Sequence, residues 1–217
     1  MLRQAKQLFR SSFLYQYYRR TEHKIDYFNW RRKNRNGPTP HLYKQHTIIE
    51  YGQRYNIQVF IETGTYLGDM VYAVSKEFDR IVSIELSKDL YRRALKRFAK
   101  HKNIHICHGD STVVLPEVVR TLTTPALFWL DAHYSGGFST RGETDTPVLA
   151  ELNTIFDLSE FNHVILIDDA HLFDGRYDYP TLHALQAFIK QKKPNYVFKV
   201  NYDIIRIVPG KDKYNPK

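Results

Sequence analysis

Six carboxylates close short apolar runs along the chain: Glu62 after Val59-Phe60-Ile61, Glu85 after Ile81-Val82-Ser83-Ile84, Asp110 after Ile104–Cys107, Asp131 after Ala126–Leu130, and the pair Asp168-Asp169 after Val164–Ile167. Apolar runs of this length read as strands buried on both faces of a parallel sheet. An acid at the end of each strand gathers negative charge on one rim. Such a rim repels itself unless it holds hydroxyls, amines or a cation, so the rim is the expected site. Asp131, Asp168 and Asp169 offer only oxygen, which suits Mg²⁺, Mn²⁺ or Ca²⁺ better than zinc. Glu85 follows Glu62 by 23 residues, the spacing at which an acid in a nucleotide-binding α/β fold takes both hydroxyls of a ribose. Asp110 with Ser111 is placed to hold an adenine amino group. His133 and His171 flank the aspartates, where either serves as a base, as a further ligand, or simply as a structural partner of a neighbouring carboxylate. For Asp168-Asp169 the competing reading is helix capping, and for Glu62 an ordinary solvated turn.

The elements that must position these groups alternate. Val59-Phe60-Ile61-Glu62-Thr63-Gly64-Thr65-Tyr66-Leu67-Gly68-Asp69-Met70 reads as a strand, a glycine turn and a helix start. Gly64 permits a close approach to the main chain, and Gly68 removes a side chain where the new helix must pack on the sheet. Helices are expected over 41–55, 65–78, from Ser87 with an N-cap, over 112–122, 147–158 and 179–190. The end of the chain, 195–199 and 204–208, reads as a hairpin. Cys107 falls in an alternating run and reads as a small core residue. Five strand and helix alternations before a hairpin make an open α/β sheet, five strands parallel, with helices on both faces and a ligand site beyond the strand ends. The stretch Tyr134–Pro147 is rich in Gly, Ser and Thr and too long for a plain connection. It reads as a lid pivoting on Gly136, Gly137 and Gly142, with Arg141 for an anionic group on a substrate and Phe173, Tyr177 and Tyr179 for an aromatic wall.

The chain has 217 residues, 42% hydrophobic and 25% charged, ordinary values for a water-soluble globular protein. A formal charge of +9 resides wholly in residues 1–45, where eleven Lys or Arg face only Glu22 and Asp26; the remainder is balanced. Residues 1–40 therefore read as a basic, aromatic extension and 41–217 as the main domain. Over 1–36 an amphipathic helix is expected, either packed on protein or docked on an anionic membrane surface. No recognised nucleic-acid module surrounds the charge, so specific nucleic-acid binding is not expected. One cysteine excludes an internal disulfide, and no apolar run approaches the roughly 20 residues needed to span a bilayer. A cytoplasmic location, with peripheral contact to membrane, is the expectation.

The run Phe60-Ile61-Glu62-Thr63-Gly64-Thr65-Tyr66-Leu67-Gly68, with Ser83-Ile84-Glu85, Gly109-Asp110-Ser111 and Trp129-Leu130-Asp131, resembles the class I S-adenosylmethionine-dependent methyltransferases. Asp131 followed by Ile167-Asp168-Asp169 is similar to the metal-dependent O-methyltransferases of the caffeoyl-CoA, catechol and macrocin types. The resemblance implies a Rossmann-like methyltransferase sheet. It implies S-adenosylmethionine held by Glu62, Thr63, Gly64, Thr65, Gly68, Glu85, Asp110, Ser111 and Asp131. It further implies a cation, Mg²⁺ or else Mn²⁺ or Ca²⁺, on Asp131, Asp168 and Asp169, and Asp131, His133 and His171 as the catalytic set. The acceptor would be a small molecule or a carbohydrate hydroxyl, with a homodimer among the assemblies open to the chain. Two other readings compete. An NAD-dependent oxidoreductase is opposed by the missing Gly-x-Gly-x-x-Gly turn and by Glu62 where a pyrophosphate would lie. A non-catalytic binding module of the same fold is opposed by the retained acids.

Overall fold

The computed structural model describes residues 13–33, 35, 38–131 and 146–210. His133, Arg141, the pivot glycines and most of the expected lid lie outside the described residues. The chain divides into two units, residues 1–47 and 48–217, so the division falls within a helix rather than at the Gly37-Pro38 break.

In the first unit α1 (Phe13–Arg32) is followed by α2 (His41–Arg54), whose opening turns belong to this unit. Aromatic rings join them: Trp30 lies 5.2 Å from Tyr43, His23 4.4 Å from His41, and Tyr27 5.8 Å from His46, centroid to centroid. Trp30 and His23 are buried, whereas Tyr18, Ile25 and Phe28 are exposed.

The second unit is a sheet flanked by helices. Its elements are β1 (Val59–Thr63), α3 (Asp69–Val74), β2 (Arg80–Glu85), α4 (Lys88–Phe98), β3 (Ile104–His108), α5 (Ser111–Arg120), β4 (Ala126–Leu130), α6 (Val148–Asp157), β5 (Val164–Ile167), a 3-10 turn (Ala170–Leu172), α7 (Leu182–Lys192), β6 (Tyr196–Asn201) and β7 (Ile204–Pro209). The strand order is β3-β2-β1-β4-β5-β7-β6. β1 to β5 run parallel, and β7 is antiparallel to both β5 and β6. β1, β4 and β5 are buried throughout, as their unbroken apolar sequences require. A core of Ile61, Val82, Ile84, Phe128, Leu130, Ile165 and Ile167 meets Leu115, Leu152, Ile155, Leu185 and Ile189 from α5, α6 and α7.

The chain builds outward from β1 to β3, then returns to place β4 against β1. The crevice between β1 and β4 is thus the point where strand order reverses, the usual ligand site of such sheets. Boundaries differ from sequence expectation most after β1, where the expected helix over 65–78 shortens to Asp69–Val74. The 3-10 turn after β5 and its left-handed entry at Asp169 carried no sequence signal.

Candidate active site

The turn after β1 is folded back on β2. Backbone N–H groups of Gly64 and Thr65 donate to the Ile84 carbonyl at 2.9 and 3.2 Å. Gly64 has φ 94° and Gly68 φ 75°, both in the left-handed region that glycine tolerates best. A Cβ on Gly68 would stand 2.7 Å from the Phe98 ring, so the glycine makes room for α4 rather than for the sheet. Arg97, also on α4, donates to the Leu67 carbonyl and pairs with Asp69 at 2.8 Å, which clamps the turn from outside.

Glu62 is buried within the sheet, only 2% exposed. Ser83 donates to its carboxylate at 2.5 Å, and Thr65 lies 2.6 Å from the Ser83 hydroxyl. Burial pushes the Glu62 pKa well above the usual carboxylate range; the Ser83 bond opposes this, and the charges of Asp131, Glu85 and Asp69 add to it. Glu62 thus lies in the field of two other strand-end acids, Glu85 and Asp131. Glu62 itself is an interior group tending to neutrality, not the solvated charge of the simplest sequence reading.

Glu85 closes β2 and is 6% exposed. Its two oxygens accept one backbone bond each, from Tyr66 at 2.7 Å and Ser87 at 2.8 Å. A carboxylate oxygen has a second lone pair, so each oxygen can accept a further hydrogen bond. Burial raises its pKa, against the pull of those bonds. Asp110 is the N-cap of α5, accepting from the Thr112 backbone at 2.8 Å and its hydroxyl at 2.7 Å. This capping role was missed in sequence, although Asp-Ser-Thr ahead of an apolar run is a helix-start signature. Cys107 lies half-buried on edge strand β3, outside this rim, and burial pushes its thiol up.

At the tips of β4 and β5 the backbone of Asp131 donates to Thr63, and that of Asp168 to Leu130, both at 3.1 Å. This staggers the two strand ends and brings Asp131, Asp168 and Asp169 together, with one oxygen of each within 4.8 Å of the others. Asp169 takes a left-handed φ of 52° as it enters the 3-10 turn, and makes no side-chain cap. The donor set is all oxygen, the kind that fits a hard dication. His171 follows. Its backbone N–H donates to Asp203 at 2.8 Å and its Nδ1 lies 2.7 Å from the other Asp203 oxygen. In the neutral tautomer that carries its proton on Nδ1, Nε2 is the acceptor. Asp203, in the turn between β6 and β7, stood outside the expected set; Asp169, His171 and Asp203 also lie within 4.8 Å of one another.

A narrow cleft beside Asp131 and Asp168 is lined by Pro147, Val148, Glu151, Phe173 and Tyr179. Phe173 and Tyr179 meet edge to face at 5.2 Å, whereas Tyr177 is 76% exposed and lines no part of it.

No protein-family model and no curated protein matches the chain. Solved structures do match its fold. The O-methyltransferase TomG from Streptomyces achromogenes, in complex with S-adenosylmethionine, is 16% identical with a TM-score of 0.57, over 83% of this chain and 86% of that one. An O-methyltransferase from Bacillus cereus in complex with S-adenosylhomocysteine is 14% identical with a TM-score of 0.57, over 87% and 90%. The Podospora anserina methyltransferase PaMTH1, bound to S-adenosylhomocysteine, is 18% identical with a TM-score of 0.56, over 87% and 88%. The chain shares the Rossmann-like fold of these methyltransferase structures.

Proposed function

We propose that this chain is an S-adenosylmethionine-dependent methyltransferase that methylates a hydroxyl of a small molecule, with a divalent cation at Asp131, Asp168 and Asp169. The observation that carries the reading is the oxygen cluster at the tips of β4 and β5, set beside the β1/β4 crevice of a methyltransferase fold. When bound, S-adenosylmethionine supplies an electrophilic methyl group, and the cation supplies Lewis acidity that eases ionisation of the acceptor hydroxyl.

The protein's own work is positioning and proton handling. Glu85, oriented by the Tyr66 and Ser87 backbone, takes the ribose hydroxyls. The turn through Thr63, Gly64 and Thr65 receives the methionine portion, and Gly109 to Ser111 borders the adenine. Asp131, Asp168 and Asp169 hold the acceptor end against the donor, which turns a bimolecular encounter into an oriented one. His171, its Nδ1 anchored by Asp203, takes the acceptor proton at Nε2. Phe173 and Tyr179 give the acceptor an aromatic wall suited to a ring or a sugar face.

Calorimetry with S-adenosylmethionine, with and without Mg²⁺, tests this reading. Cofactor binding is expected, together with metal-dependent methylation of a component of a cell extract followed by labelled cofactor and mass spectrometry. Asp131→Asn is expected to abolish turnover and leave cofactor binding largely intact. Absence of cofactor binding in the wild type would sink the proposal.

The first unit supports a peripheral site at an anionic membrane. Tyr18, Ile25 and Phe28 are exposed on α1 among Arg20, Lys24, Arg31 and Arg32, an apolar and cationic combination suited to a charged interface. Among the described residues no helix is long and apolar enough to cross a membrane. Salt-sensitive binding to vesicles containing phosphatidylserine, lost when residues 1–36 are removed, is the expected result; salt-independent behaviour refutes it.

A further inference from the structure

Glu151 sits in the first turn of α6, in the middle of a stripe formed by Val148, Leu152, Ile155 and Phe156. It is 1% exposed. Its carboxyl lies beside the hydroxyls of Ser111, the first residue of α5, and Thr63, the last residue of β1, and within the field of Asp110 and Asp131. Its Oε1 is buried and completes no hydrogen bond, and neither does Thr63 Oγ1. It also forms part of the wall of the cleft beside Asp131.

Packing alone gives no reason for this residue. An apolar side chain of the same size would complete the stripe, while a buried carboxyl with an unpaired oxygen destabilises the fold. Groups left in that state gather where function holds them. The three elements that Glu151 touches or faces, the tips of β1 and β4 and the start of α5, all border the crevice where the donor would lie.

We propose that Glu151 is a positioning residue of the methyl-donor pocket, acting through Thr63 and Ser111 to fix the tip of β1 and the start of α5 along the crevice. This rests on the methyltransferase reading. Burial is the main reason that its pKa rises from 4.5 to about 7, with the Asp110 and Asp131 charges adding and the two hydroxyls opposing. The neutral form is thus well populated near pH 7 and dominant below it, and an amide can stand in for that form.

The test is S-adenosylhomocysteine affinity by calorimetry on the full chain, read beside the thermal midpoint. Glu151→Leu is expected to keep or raise the midpoint and yet weaken affinity by about tenfold or more. Glu151→Gln is expected to restore affinity to within about threefold. Thr63→Val should weaken the wild type and add little to Glu151→Leu, because both act on one contact. If wild-type protein fails to bind S-adenosylhomocysteine, the methyltransferase reading falls and this inference falls with it. If the wild type binds and folded Glu151→Leu binds equally well, only the positioning role is overturned. Should Glu151→Leu not fold, unchanged affinity in both Thr63→Val and Ser111→Ala overturns it instead.

Discussion

Two buried polar side chains, His163 and Glu151, at opposite ends of the sheet, are treated in opposite ways. At the end where β4 and β5 begin, His163 is 1% exposed and both ring nitrogens are used. Its Nδ1 accepts from the Ala126 backbone at 3.0 Å, which fixes the proton on Nε2, and Nε2 then donates to Ser159 at 2.7 Å. At the other end, buried Glu151 Oε1 and Thr63 Oγ1 complete no hydrogen bond, and Glu62 is pushed toward neutrality beside other acids. Satisfied His163 serves the fold at one end; unsatisfied Glu151 stands at the end available for chemistry.

Four experiments would break or sharpen this contrast. The largest effect is expected from Asp168→Asn: turnover with Mg²⁺ should fall about 1000-fold, since an ion of this kind is worth several kcal/mol. Equilibrium unfolding should show no loss of stability, and a loss matching the activity would move Asp168 to the structural side. Next, His163→Ala should cost about 3 kcal/mol in urea unfolding, because it opens a cavity and strands the Ala126 N–H. Affinity for S-adenosylhomocysteine should not change; a parallel loss would erase the distinction between the ends. Third, His171→Ala should lower turnover about 100-fold, the low side for a general base, with stability unchanged. An unchanged rate would leave the Asp203 contact as a loop anchor.

The smallest effect lies in the pH dependence of stability. Burial, with Lys193 adding, lowers the His163 pKa from 6.5 to about 4. Between those values the unfolded chain binds a proton that the folded chain refuses, so the His163 contribution is lost as pH falls from 6.5 to about 4. Glu151 has the opposite sign. Its contribution is complete below 4.5 and lost as pH rises to about 7. The slopes oppose each other, so wild-type stability should vary by no more than about 1 kcal/mol across the shared window on their account. Relative to wild type, Glu151→Gln should tilt stability upward with rising pH there, and His163→Ala should tilt it downward. Urea unfolding at three pH values measures both, and a Glu151→Gln profile identical to wild type would show that Glu151 titrates normally.

Much of the second unit was legible because its cues are local. Uninterrupted apolar runs such as Ala126–Leu130 and Val164–Ile167 have one stable use, strands covered on both faces, and β4 and β5 have those bounds. Ser87 caps α4 through its bond to the Leu90 N–H, as its residue type favours. Other parts were hidden because they depend on distant partners. Glu151 looks like one more helical acid until α5 and β1 close over it. Asp203 looks like a turn residue until β7 pairs with β5 and carries it to His171. Gly68 reads as a packing glycine, but only tertiary contact shows that Phe98 is what it accommodates.

By itself the sequence determined the alternation of strands and helices and the placing of acids at strand ends, since periodicity and turn chemistry act over a few residues. Tertiary structure alone decided which acids are interior and which face the cleft. Burial and hydrogen bonding set the state of a carboxyl, and both are properties of neighbours far away in the chain.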